Sequence, residues 1–162
     1  MAEIISNATP LIAFARIEQL PLMQKIVRQL VIPNAVAEEL MNYQGTDAGQ
    51  IRLEQESWIR VEMLRSEAQM RLLLPTLDRG EAEVIALALE KQAPLLLMDE
   101  LTGRKVAESL QLKVTGSIGL LIQAKQSGQI SAVRPLLEAM HEAGMYFSQR
   151  FITAVLEHVD ET

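Results

Sequence analysis

The chain has 162 residues, of which 49% are hydrophobic, and it carries a formal net charge of −6. The absence of cysteine excludes a disulfide scaffold and a thiolate metal site, and two histidines are too few for a histidine-based zinc site. The acidic balance argues against a broadly basic nucleic-acid surface, and no apolar run reaches the roughly 20 residues that span a bilayer. We therefore expect a cytoplasmic protein without membrane association.

The first half of the chain alternates short strands with helices. We expect strands at 4–6, 30–32 and 58–63, the last with the alternating pattern of an edge strand. Between them, helices are predicted near 10–15, 20–30 and 33–43, followed by a loop at 44–49 and a polar helical stretch near 50–55. Asn7 and Thr9 are turn and cap residue types before Pro10, which is favourable in a first helical turn.

The stretch 77–100 is the centre of the prediction. Its residues 84–89 are apolar all round, which is typical of a buried helix, and Pro94 ends that helix. The run 95–98 has no polar alternation, as in a strand of a parallel sheet that is covered on both faces. Asp99 follows this strand directly, where open α/β sheets bind ligands.

The remaining elements complete an α/β pattern. Helices are predicted at 66–74, 102–110 and 118–126, a strand at 112–115, and two amphipathic helices at 132–144 and 148–159. This order predicts a three-layer α/β/α sandwich with a mostly parallel central sheet. We place one domain at 1–162, with a C-terminal helical part at about 117–162.

Three acidic residues adjoin buried apolar positions. Glu39 falls among the apolar residues of its helix, Glu81 shares a face with Ile85 and Ala88, and Asp99 ends the buried strand. If these carboxylates converge, their repulsion favours a hard divalent cation, and Mg²⁺ or Mn²⁺ suits oxygen ligands better than zinc does.

Each acid also has a structural explanation. Asp78 and Glu81 have the spacing of a capping box, Asp99-Glu100 fits an N-cap for the helix that carries Arg104, and Glu39 fits an ion pair with an arginine. Surface ion pairs with Asp78, Glu100 and Glu108 would likewise account for the nearby cations.

The ordered motifs SNATPLIAFARI, IPNAVAEEL, LDRGEAEVIALALE, LLLMDE and VTGSIGLLIQAKQSGQISAVRPLLEAM resemble those of PIN-domain proteins over nearly the entire chain. The resemblance is to a branch with Asn in place of the first Asp. It implies a metal-dependent ribonuclease, a toxin of a toxin-antitoxin pair, and a site formed by Asn7, Glu39, Glu81 and Asp99. The last three would be catalytic, and all four would hold Mg²⁺ or Mn²⁺.

The expected partners are RNA, a small antitoxin protein and a second copy of the chain, as a homodimer or higher oligomer. The cations and hydroxyls near the acids are the predicted RNA contacts: Arg79, Arg104, Lys105, Thr115 and Ser117. Because an amide lacks charge, Asn7 also allows a degenerate PIN fold that only binds RNA or an antitoxin. A receiver-like or phosphatase-like acidic pocket is a third hypothesis, which lacks the acid it needs after the first strand.

Overall fold

Five parallel strands form the centre of the molecule in the computed structural model, which describes residues 3–45 and 47–162. Thr46 of the predicted loop 44–49 lies outside this description, as do the first two residues of the predicted domain. The strands are β1 (Ile4–Ser6), β2 (Leu30–Pro33), β3 (Ile59–Glu62), β4 (Leu95–Leu97) and β5 (Val114–Thr115), in the order β3-β2-β1-β4-β5. Every pair of neighbours is parallel, which confirms the prediction of a mostly parallel sheet.

Helices cover both faces of this sheet. Within the described residues they are α1 (Ala8–Arg16), α2 (Leu20–Val27), α3 (Asn34–Met41), α4 (Ala68–Leu73), α5 (Arg79–Lys91), α6 (Leu101–Ser109), α7 (Ser117–Gln126), α8 (Arg134–Glu142) and α9 (Gln149–His158). Consecutive strand residues such as Leu96 and Leu97 are fully buried although their side chains point to opposite faces. The three-layer α/β/α fold expected from the sequence is therefore confirmed.

Three predicted elements are shorter than expected. Helix α2 ends at Val27 because Arg28 adopts a positive φ of 66°, which reverses the backbone. The polar stretch near 50–55 forms only a 3₁₀ turn at Leu53–Gln55, and β5 keeps only two residues of the predicted strand 112–115. None of the described helices is long and apolar enough to cross a membrane.

Helix α5 is the central helix, and it packs against β1, β2 and β4. Its residues 82 to 88 are all buried, as the apolar run predicted, and Gln92 in the left-handed conformation ends it two residues before Pro94. Because α5 runs back across the strands, its first turn lies at their carboxyl ends. It thereby brings Glu81 to that edge of the sheet.

Two glutamates of α5 hold other segments in place through backbone hydrogen bonds. The Ala35 N–H, at the start of α3, donates to Glu83 Oε1 at 3.0 Å. Two turns later, the N–H groups of Arg65 and Ser66, ahead of α4, donate to Glu90. The sequence predicted Glu81 rather than Glu83 as the inward residue, yet both are 6% exposed. Glu83 is buried because it accepts the hydrogen bond of another helix.

We expect Glu83→Ala to lower the free energy of unfolding by about 1–3 kcal/mol, because it leaves the Ala35 N–H buried without an acceptor. Urea unfolding measures this loss. Glu108→Ala, at an exposed position of α6, is the control and should change stability by no more than about 0.5 kcal/mol. Equal stability of the two variants would show that Glu83 does not anchor α3.

Candidate active site

The carboxyl ends of β1 and β4 meet at the centre of one sheet edge. Asn7 follows β1, and its backbone N–H donates to the Leu97 carbonyl at 2.9 Å, which joins the two strand ends. From β1 the sheet continues through β2, and from β4 it continues through β5 in the opposite direction. Ligands of open α/β sheets bind at such a switch point. Asn7 and Asp99 therefore flank the expected ligand crevice.

The Asn7 side chain has an acceptor without a donor. The residue occupies the N-cap position of α1, but its side chain makes no capping hydrogen bond, which is contrary to its interpretation as a simple cap. It is 7% exposed, and Oδ1 is buried without a hydrogen-bond partner among the described residues. An unsatisfied buried acceptor is costly, and it commonly marks the place of an ion or water.

The side chains of Asn7 and Glu39 meet over Gly80. A Cβ atom added at Gly80 would lie 2.1 Å from Glu39 Oε1 and 3.4 Å from Asn7 Oδ1. A side chain at this position would therefore displace the Glu39 carboxylate, whereas Asn7 Oδ1 would remain in ordinary van der Waals contact. Glu39 is exposed overall, on the second turn of α3, but its carboxylate reaches this point at the start of α5.

Glu81 combines a structural role with a place at the site. The Glu81 N–H donates to Asp78 Oδ1 at 2.8 Å, and the Asp78 N–H donates to Glu81 Oε1 at 3.2 Å, so the predicted capping box is present. The second oxygen, Oε2, would lie 3.1 Å from a Cβ atom added at Gly103 of α6. Glu81 is thus both a capping residue and an inward-facing carboxylate.

Negative charge accumulates around these two glutamates. Partial burial of the carboxyl group raises the pKa of Glu39, and the carboxylates of Asp78 and Glu81 raise it further. Burial also raises the pKa of Glu81, as do the charges of Asp78 and Glu100, while the hydrogen bond from the Asp78 backbone opposes them. A cation placed here would relieve this repulsion.

Asp99 forms a neighbouring subsite with Ser117. The Ser117 N–H donates to Asp99 Oδ1 and its hydroxyl donates to Oδ2, both at 2.7 Å. Asp99 therefore binds the start of α7, and of the predicted N-cap Asp99-Glu100 it is Glu100 that occupies the N-cap position of the helix with Arg104. A Cβ atom added at Gly116 would lie 2.5 Å from Asp99 Oδ1 and 3.1 Å from Arg104 Nη1. Arg104 thus lies beside Asp99.

The other predicted RNA contacts differ in their surroundings. Arg79 forms ion pairs with Glu83 at 2.9 Å and Glu67 at 3.8 Å, rather than with the predicted Asp78. Lys105 is exposed and Thr115 is half-buried. Ser117 is fully buried, and its hydroxyl is used by Asp99, so it orients that carboxylate.

The oxygen atoms at the site fit a hard cation only in part. Asn7, Glu39 and Glu81 provide an oxygen-only set, the chemistry that Mg²⁺ and Mn²⁺ prefer, and the unpartnered Asn7 Oδ1 is free to act as a ligand. However, the part of the chain that the structure describes contains no group of three or more acidic or histidine side chains spaced to hold an ion.

A family model, DUF3368, described as a PIN domain, matches residues 3–161. The chain belongs to the PIN-domain family. No curated protein matches it. The PIN domain is a nuclease-type fold whose members generally use divalent metal ions. The sequence alone did not identify Gly80, Gly103 and Gly116 as positions of close approach. Their signal was glycine near helix starts, where it is otherwise unfavourable.

Without metal, the two glutamates should destabilise the folded PIN domain. A raised carboxyl pKa means that folding is favoured below the unfolded pKa and that this contribution is lost as pH rises through the folded pKa. We expect Glu39→Gln and Glu81→Gln to raise Tm in EDTA near neutral pH, and the difference from wild type to shrink under acidic conditions. Glu38→Gln, which changes the exposed neighbour of Glu39, is the control. A lower Tm for both variants at neutral pH would contradict the prediction.

Proposed function

We propose that this PIN domain is a metal-dependent endoribonuclease that hydrolyses RNA phosphodiester bonds, and that it is the toxin of a toxin-antitoxin pair. One observation carries the nuclease proposal: the unpartnered Asn7 Oδ1 lies beside Glu39 Oε1, next to Glu81, at the switch point of the sheet. Asn7 Oδ1 is thus an acceptor without a hydrogen-bond donor, and the two glutamates bring negative charge to the same place. A divalent cation would satisfy both.

In this proposal Asn7, Glu39, Glu81 and Asp99 hold Mg²⁺ or Mn²⁺, with the three acids as catalytic residues. The cation supplies Lewis acidity and neutralises charge on the phosphate. The capping box fixes Glu81, and Ser117 fixes Asp99, so neither carboxylate has to be ordered when the substrate arrives.

The substrate contacts in this proposal come from cations on the same edge. Arg104, half-buried beside Asp99, would contact a phosphate next to the scissile bond, and Lys105 would add charge from the surface of α6. Thr115 would offer a hydroxyl group. Arg79 would have to exchange its ion pair with Glu83 for a phosphate, so we expect it to contribute least.

The chain would act in the cytoplasm as one domain, bound to a small antitoxin protein and to a second copy of itself. Exposed apolar side chains support a protein-binding role, among them Tyr146 and Phe151 near α9 and Leu72 on α4. The toxin role itself depends on the resemblance in sequence to toxin-type PIN proteins.

A degenerate PIN domain that binds RNA or an antitoxin without cleavage is the alternative function. Two observations favour it: Asn7 brings an amide where a carboxylate would bind metal more strongly, and the described residues hold no group of three acids at ligand spacing.

Cleavage of RNA in Mn²⁺ tests the proposal. We expect the wild type to cleave, and Glu81→Gln and Asp99→Asn to reduce the rate by at least about 100-fold, because each removes a charge that the reaction needs. Activity is measured with a labelled RNA oligonucleotide, with Glu108→Gln as the control. Equal rates in all four proteins would remove these residues from the active site.

Asn7→Asp separates the two candidate functions. If the wild type is an active enzyme, the added carboxylate should tighten Mn²⁺ binding, measured by calorimetry, with a modest change in the cleavage rate. Cleavage that appears only in Asn7→Asp would identify the wild type as the degenerate form. In either case Gly80→Ala should weaken Mn²⁺ binding, because the new methyl group displaces Glu39 Oε1.

A further inference from the structure

A narrow groove runs along α1 away from the acidic site. Its volume is about 190 Å³. The lining residues are Thr9, Ile12, Ala13, Arg16, Tyr43 and Met145. Thr9, Ile12, Ala13 and Arg16 have the spacing of one helix face, so the groove follows α1 from its first turn to its last. We call this feature the α1 groove.

Two residues that line the α1 groove are close in sequence to residues of the proposed active site. Thr9 lies two residues after Asn7 on α1, and Tyr43 lies four residues after Glu39, just beyond the end of α3. Arg16 is nine residues from Asn7, or roughly 13 Å along the helix axis. An RNA strand with its scissile phosphate at the acids would therefore place at Arg16 a nucleotide that lies further along the strand than the one next to the cleaved bond.

Arg16 is held in the groove without a carboxylate partner. Its Nε donates to the Tyr43 hydroxyl at 2.8 Å, and its Nη1 donates to the Ala143 carbonyl at 3.2 Å. Among the described residues it takes part in no ion pair, although the chain has more acids than bases. The guanidinium group is thus fixed in position, with its Cζ atom 5.7 Å from the centroid of the Tyr43 ring, and no carboxylate of the described residues forms an ion pair with it.

Tyr43 is also held in a fixed position. A Cβ atom added at Gly45 would lie 1.9 Å from the Tyr43 hydroxyl oxygen, and one added at Gly49 would lie 2.5 Å from it. Gln50 Nε2 donates to the Tyr43 carbonyl at 2.8 Å. The loop around the ring therefore requires glycine at two positions. This packing orders the ring before any ligand binds.

We propose that the α1 groove is a subsite for a nucleotide of single-stranded RNA at a distance from the cleaved bond, in which Arg16 binds a phosphate and Tyr43 stacks on the base. This inference rests on the proposed function. A nucleotide offers an anion and a flat ring in one repeating unit, which matches a fixed guanidinium beside a fixed phenol ring. Ordering both groups in advance lowers the entropic cost of binding.

Binding in EDTA tests the groove separately from catalysis. Fluorescence anisotropy of a labelled single-stranded RNA oligonucleotide is measured at several salt concentrations. We expect Arg16→Gln to weaken binding about tenfold. It should also lower the slope of log K against log salt by about 0.7, the value for one phosphate contact on a single strand. Tyr43→Leu should weaken binding about tenfold with an unchanged slope, because it removes stacking and no charge.

Two variants control for charge and folding. Arg65→Gln removes one charge near Glu90, at the other end of α5, and should bind as the wild type does. Arg16→Lys keeps the charge and should restore most of the salt slope. If its slope is as low as that of Arg16→Gln, the loss is structural and the proposal is wrong. The proposal is also wrong if Arg16→Gln binds RNA as tightly as the wild type does, which is expected if the groove binds a peptide. It is equally wrong if the wild type binds no RNA.

The two proposals fail in different ways. If the protein binds RNA through Arg16 but does not cleave it in Mn²⁺, the proposal for the α1 groove stands and the nuclease proposal is wrong. If the protein cleaves RNA with the same KM and kcat in wild type and Arg16→Gln, the nuclease proposal stands and the proposal for the α1 groove is wrong. If both proposals hold, Arg16→Gln should raise KM about tenfold and leave kcat unchanged.

Discussion

Repulsion among the carboxylates at the start of α5 is the constraint on which the rest of the site depends. Asp78, Glu39 and Glu81 gather there; burial raises the pKa values of the two glutamates, and the neighbouring carboxylates raise them further. The positive end of the α5 dipole and the capping box offset part of this repulsion. Gly80 keeps the oxygens of Glu39 and Asn7 close by carrying no side chain. The site is thus held together by backbone interactions while its charges oppose one another.

The elements of the central sheet could be predicted from the sequence, because their signals are local. Uninterrupted apolar residues predicted β4 and α5, and both formed where the pattern placed them. The end of α2 could not be predicted, because it depends on the positive φ of Arg28. The length of β5 could not be predicted either, because it depends on pairing with β4. The burial of Glu83 was equally unpredictable, because its acceptor role requires α3, whose start lies 48 residues earlier in the chain.

The candidate site was predicted as a set of residues but not as an arrangement. Strand ends and helix starts correctly placed Asn7 and Asp99 at one edge, since parallel strands finish together. The hydrogen bonds from Ser117 to Asp99, and the missing partner of Asn7, depend on distances between distant segments. Sequence spacing does not contain those distances. For the same reason the sequence could not predict the Arg16–Tyr43 contact, which joins the end of α1 to the segment that follows α3.

The bond between Ser117 and Asp99 has a consequence for synthesis. A growing chain exposes Asn7, Glu39 and Glu81 first, yet β1 cannot pair with β4 until residues 95–97 have left the ribosome, and Asp99 remains unanchored until residue 117 follows. Assembly of the acidic edge is therefore among the later events of translation. A polypeptide that ends before residue 117 would therefore lack the hydrogen bonds that hold Asp99 at this edge of the sheet.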